Sequence, residues 1–201
     1  MQKIGITGGI ASGKSAVAAI LRELGFHVVD ADGLAHRLTE PGQPAHEEVL
    51  KEFGADLATS DGRIDRPKLG AMVFADPARL ARLNAIVHPR VGEATFRQFE
   101  EWQRNGSDAV FVEAALLIEA GMHKKLDGLV VAWCEPEQQL ERLLARGMSE
   151  TEARRRIAAQ MPVEEKIRFA TEKIDCSGSL EHTRQQVQTL AAKLRRQPSN
   201  P

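Results

Sequence analysis

Within residues 5–17, GITGGIASGKSAV, Gly8 and Gly13 stand five positions apart, and Lys14 and Ser15 follow the second glycine. The pattern Gly-x-x-x-x-Gly-Lys-Ser suits a loop that wraps a phosphate chain. Its glycines let the backbone curl until successive N–H groups point into one cavity, and a helix starting there adds its positive end. The cradle would be made by Gly8, Gly9, Ala11, Ser12, Gly13, Lys14, Ser15 and Ala16. Lys14 would reach the β- and γ-phosphates of a nucleotide, and the Ser15 hydroxyl would ligate Mg²⁺.

Acidic and basic residues elsewhere fit the same chemistry. The stretch VVDAD ends a second strand-like run, and strand alternation predicts that Asp30 and Asp32 project to one side at the ligand-binding edge. There they could take a proton from an attacking hydroxyl or organise Mg²⁺; the simpler role for Asp32 is to cap the helix that follows. Glu113 closes the third run, AVFVE, where it could support Mg²⁺ through water or merely be solvated. Arg142, Arg146 and the run Arg154–Arg156 lie on two helical patterns joined at Gly147, which reads as a lid able to close over a polyphosphate. His88 precedes Pro89, a pair that more often marks a helix boundary than a catalytic imidazole.

These residues need a scaffold that presents strand ends. Apolar runs at 4–7, 27–30, 109–113 and 129–134 alternate with helical patterns, which predicts an α/β fold with a parallel sheet flanked by helices. No strand-like run occurs between the second and third of these. ARLARLNAIV and TFRQFEEWQ there read as two amphipathic helices of an insertion over one sheet edge. Helix starts are legible at Asp76–Pro77 and at Ser149 with Glu152 three residues on. The polar tail at 197–201 is expected to fray.

Composition limits the remaining possibilities. With 201 residues, 42% of them apolar, the chain can bury the core of one α/β domain carrying an insertion. Its 27 basic and 28 acidic residues give a net charge of −1, which disfavours general nucleic-acid binding. Cys134 and Cys176 stand alone and the six histidines have no metal-ligand spacing, so a reducing compartment and no structural metal are expected. No apolar run has the length of a membrane span and no secretory leader is evident, so the expected location is the cytoplasm.

Taken in order, TGGIASGKS, VVDAD with EPG after it, LNAIVHP, ALLIE, QLERLLARGMS, RIAAQMPVEEK and IDCSGS resemble the dephospho-CoA kinase family from about residue 4 to 179. The resemblance implies a P-loop kinase that moves the ATP γ-phosphate to the ribose 3′-hydroxyl of dephospho-CoA, with ATP and Mg²⁺ as cofactors; a monomer, open to weak self-association, is expected, though the sequence does not fix the oligomeric state. It further implies a nucleotide core at 1–32, 108–141 and 166–196, a helical acceptor domain at 33–107 and a lid at 142–165. Lys14, Asp32, Arg142 and Arg146 would be catalytic, with residues 174–179 bordering the adenine. Asp30, Asp32, His36, His88, Glu113 and Leu117 would face the acceptor. The chain departs from the family pattern at Ala11 for glycine, Ala16 for threonine, His36 for arginine, and Glu113, Ala115 and Ile118 after the third strand. A nucleoside monophosphate kinase is the alternative enzyme. A nucleotide switch is disfavoured, because no Asn-Lys-x-Asp element occurs and no Asp-Glu pair closes the third strand.

Overall fold

A computed structural model describes residues 1–196; the tail at 197–201 lies outside the described residues. The chain divides into two compact units, residues 31–97 and the remainder.

The larger unit is a five-stranded, wholly parallel sheet in the order β2-β3-β1-β4-β5. β1 (Gln2–Thr7) lies at its centre, flanked by β3 (Ala109–Glu113) and β4 (Gly128–Trp133), with β2 (His27–Asp30) and β5 (Glu172–Asp175) at the edges. All five residues of β3 are buried, as a strand covered on both faces requires. β5 is an addition to the four strands expected from sequence. Its residues, Glu-Lys-Ile-Asp, bury only Ile174, so an edge strand this short and charged leaves no apolar run to read. Ile4, Ile6, Phe111, Val130 and Ile174 form the core with Val17, Ile20 and Leu21 of α1 (Lys14–Glu23) and Val187 and Leu190 of α9 (Leu180–Arg196). Each such side chain contributes about 1.5–3 kcal/mol by leaving water. After β4 come α6 (Pro136–Ala145), α7 (Glu150–Ala158) and α8 (Val163–Ile167). Ser149 caps α7, its hydroxyl accepting the Glu152 N–H at 3.3 Å.

The smaller unit is helical and has its own core of Val49, Leu57, Ile64, Leu69 and Val73. It holds α2 (Ala31–Leu38), α3 (Pro44–Phe53), α4 (Arg66–Phe74) and the first part of α5 (Pro77–Arg104). Asp76 starts α5 by accepting the Ala78 N–H at 2.9 Å. The helix boundary expected at His88–Pro89 is absent, because α5 continues through Pro89 to Arg104 and joins the two expected helices into one. A proline there removes one backbone donor and crowds the preceding turn. In the same stretch the Arg90 guanidinium donates to the Ile86 carbonyl at 2.6 Å. No helix among the described residues is long and apolar enough to cross a membrane.

Candidate active site

β1 ends at Thr7 and α1 begins at Lys14, so residues 8–13 turn the chain at the carboxyl edge of the sheet. Two glycines are dictated by that path. A Cβ on Gly8 would stand 2.3 Å from the Ala132 carbonyl oxygen, and one on Gly13 would stand 2.6 Å from Cβ of Cys176. Gly13 also holds φ at +105°, a left-handed value, as the residue that precedes α1. Among the described residues, no acceptor engages the N–H groups of Gly13, Lys14 or Ser15, the open donors of a helix start. Lys14 is half-buried and has no carboxylate partner among the described residues. Ala11 is the one non-glycine residue with positive φ among those described, at +58°. The left-handed region costs an alanine about 1–2 kcal/mol. Burial of its methyl group against Leu143 and Ala153 offsets about 0.8 kcal/mol of that.

The acidic edge lies beside this loop. Glu113 is in register with Ile6 of β1 and Asp30 of β2 and is only 6% exposed. Ser15 Oγ donates to Glu113 Oε1 at 2.7 Å, and Arg22 Nη2 lies 3.9 Å from the other carboxylate oxygen. A hydroxyl paired with a carboxylate is a hard oxygen set that fits Mg²⁺. Sequence reasoning missed Arg22, although its seven-residue spacing from Ser15 puts both on one helix face.

Asp30 and Asp32 do not share a strand face. β2 ends at Asp30 and α2 begins at once with Ala31, so the alternation stops before Asp32. Asp32 is the second residue of α2 and exposed. Its position inside the helix replaces the N-cap role with that of a first-turn carboxylate, favoured by the helix dipole.

Arg142 sits on α6 with its guanidinium committed to the backbone. It donates to the Ala11 carbonyl at 3.1 Å and to the Cys176 carbonyl at 2.6 Å, bridging the glycine-rich loop to the turn after β5. Arg146 ends α6, exposed and without an ion-pair partner among the described residues. In the arginine run, Arg154 and Arg156 pair with Glu150 and Glu152 on their own helix. Three further residues around the loop escaped the sequence reading. Gln139 is 5% exposed and its amide would stand 2.6 Å from a Cβ on Gly9. Gln160 accepts the Ile10 N–H at 2.7 Å, and fully buried Lys166 pairs with Glu119 at 2.8 Å. Burial pushes the Cys176 thiol up to about 11 and raises that of Cys134 as well, so both are protonated packing groups at neutral pH.

Leu117 is not available to a ligand. It is 1% exposed, and its side chain would lie 3.1 Å from a Cβ on Gly5, so it fills the core beneath β1. In the smaller unit, His36 lies exposed in the last turn of α2. His88 is half-buried on α5, and burial depresses its pKa, so its ring is neutral at physiological pH.

The sequence model of dephospho-CoA kinase matches residues 2–182. A dephospho-CoA kinase of Symbiobacterium thermophilum is 49% identical over 94% of this chain and 79% of its own length. Among solved structures, a Thermus thermophilus protein has a TM-score of 0.80 at 40% identity, covering 96% of this chain and 97% of its own. A dephospho-CoA kinase from Campylobacter jejuni has a TM-score of 0.71 at 27% identity, covering 96% of each chain.

Proposed function

The chain belongs to the dephospho-CoA kinase family, ATP-dependent kinases, and on that premise we propose how its residues divide the transfer of the ATP γ-phosphate to the 3′-hydroxyl of dephospho-CoA. The observation that carries the proposal is the glycine-rich turn from β1 into α1, with Ser15 hydrogen-bonded to the buried carboxylate of Glu113.

The N–H groups of Gly13, Lys14 and Ser15 hold the phosphate chain, and the Lys14 ammonium neutralises charge at the β/γ bridge. Ser15 would ligate Mg²⁺ directly and Glu113 through water; the ion, when bound, spreads the charge of the β- and γ-phosphate oxygens. Arg22, 3.9 Å from the second Glu113 oxygen, places a positive charge beside the carboxylate. Arg142 holds the loop in shape through the Ala11 carbonyl, and Arg146 supplies a mobile cation to the transferring group. The helical pair α6–α7, whose first helix carries both, serves as the lid.

The acceptor is assigned to the helical unit. Asp32 orients the 3′-hydroxyl and takes its proton as the new O–P bond forms. His88, being neutral, serves as a hydrogen-bonding group rather than a cation toward the anionic acceptor, and His36 contributes a weaker polar contact. Mass spectrometry of a reaction with ATP, Mg²⁺ and dephospho-CoA should show one added phosphoryl group at the 3′ position. Phosphorylation of AMP in preference to dephospho-CoA would overturn the assignment in favour of a nucleoside monophosphate kinase.

A further inference from the structure

The peptide between Gly9 and Ile10 is held from both sides. Its carbonyl, on Gly9, accepts the Ser12 N–H at 3.1 Å, and its N–H, on Ile10, donates to Oε1 of Gln160 at 2.7 Å. A peptide is planar, so fixing its oxygen and its hydrogen fixes the whole unit. Only the amide oxygen of Gln160 can accept from an N–H, and this sets the orientation of that side chain.

Gln160 is itself anchored. It follows α7, with its own N–H bonded to the Ile157 carbonyl at 3.2 Å, and the next N–H, of Met161, reaches Glu119 Oε1 at 3.2 Å. The same carboxylate oxygen takes the Lys166 ammonium at 2.8 Å, and Lys166, 0% exposed, also donates to the Ala115 carbonyl at 2.7 Å. A strut therefore runs from the segment after β3, through the ion pair of buried Lys166 with Glu119, to the end of α7 and into the first turn of the phosphate loop. The Lys166 ammonium is held firmly to Glu119, because leaving it would strand that buried charge away from water.

We propose that Gln160 is a positioning residue for phosphoryl transfer, setting the Gly9–Ile10 peptide so that the loop's phosphate donors are aligned before nucleotide arrives. The proposal rests on the reading of residues 8–15 as the phosphate cradle. Donors fixed in advance lower the barrier because nothing must reorganise as charge develops on the transferring group. A Gly9–Ile10 peptide free to rotate carries Ala11 with it and blurs that alignment, a loss felt mainly in the chemical step.

Gln160→Met keeps the length of the side chain and removes the acceptor, so packing and polarity are separated. In the nucleotide-free variant, exchange of the Ile10 amide is expected to quicken at least tenfold while Tm changes little. Turnover with ATP and dephospho-CoA should fall about tenfold in kcat, with KM for dephospho-CoA within twofold of the parent. Gln160→Glu, which restores an oxygen acceptor, should recover the Ile10 protection. Unchanged kcat or unchanged Ile10 exchange in the methionine variant overturns the proposal, as does failure of the glutamate to restore protection. Lys14→Ala, assayed alongside, separates the two readings. Full turnover in that variant overturns the cradle and the proposal together, whereas a dead Lys14 variant beside a normal methionine variant overturns the role of Gln160 alone.

Discussion

Under the proposed assignment, Asp32 and His88 divide the acceptor's needs between a charge and a neutral group. An asparagine at position 32 keeps size and helix compatibility but cannot take a proton, so Asp32→Asn should leave Tm within a degree or so while kcat drops by about 10². The lower part of the general-base range is expected, since a loose transition state loses the hydroxyl proton late. Near-normal turnover in steady-state assays would leave Asp32 as a first-turn carboxylate of α2 and nothing more. For His88 the expectation concerns pH. Its folded pKa lies below the ordinary histidine value of 6.5, so below about pH 6.5 the unfolded chain binds the proton more readily than the folded one. Stability is therefore full above that pH and declines as pH falls toward the depressed folded value. Thermal melts from pH 7.5 to 5 should show this decline, and His88→Gln should remove part of it; a variant with an unaltered pH slope would place the His88 ring in contact with water.

Elements explain why some residues were legible in the sequence and others were not. The phosphate loop was readable because its glycines, Lys14 and Ser15 fall in one short stretch, with Gly13 in the left-handed turn that starts α1. The parallel strands were readable from their apolar runs, and β5 was not, being a charged edge strand that borrows its order from β4. Pro89 misled because the helix tolerates it: α5 runs on from Pro77 to Arg104 with the proline inside it. Asp30 and Asp32 misled because the chain passes from strand to helix without a loop, and no local signal marks that junction. Long-range partners such as Ile10 with Gln160 leave no trace in spacing at all. Arg142 belongs to the same class. Its planar fork reaches two carbonyls from different segments through separate nitrogens, a span that the single nitrogen of an ammonium does not reproduce. Arg142→Lys retains the charge and loses the bridge, so it is expected to cost about 1–2 kcal/mol of stability and to raise KM for ATP. Parental KM and Tm in the lysine variant would show that charge alone is what position 142 supplies.

For the whole molecule, the division into a sheet unit and a helical unit with its own apolar core bears on how each substrate stabilises the protein. Segments with separate cores open separately, and a ligand suppresses only the openings that destroy its own site. If ATP is held by the loop at 8–15 and dephospho-CoA by the helical unit, the two ligands should protect different amides. At a hundred times its dissociation constant, each can slow exchange limited by loss of its site by up to about a hundredfold, equivalent to about 2.7 kcal/mol. Hydrogen exchange with ATP and Mg²⁺ alone is expected to protect α1, α6 and the segment around Gln160, and to leave α3 and α4 at their free rates. Dephospho-CoA alone should protect α2 and the part of α5 around His88, and leave β4 and β5 unchanged. Equal protection of both units by ATP alone would mean that the two cores open as one, and the assignment of each substrate to its own unit would then fail.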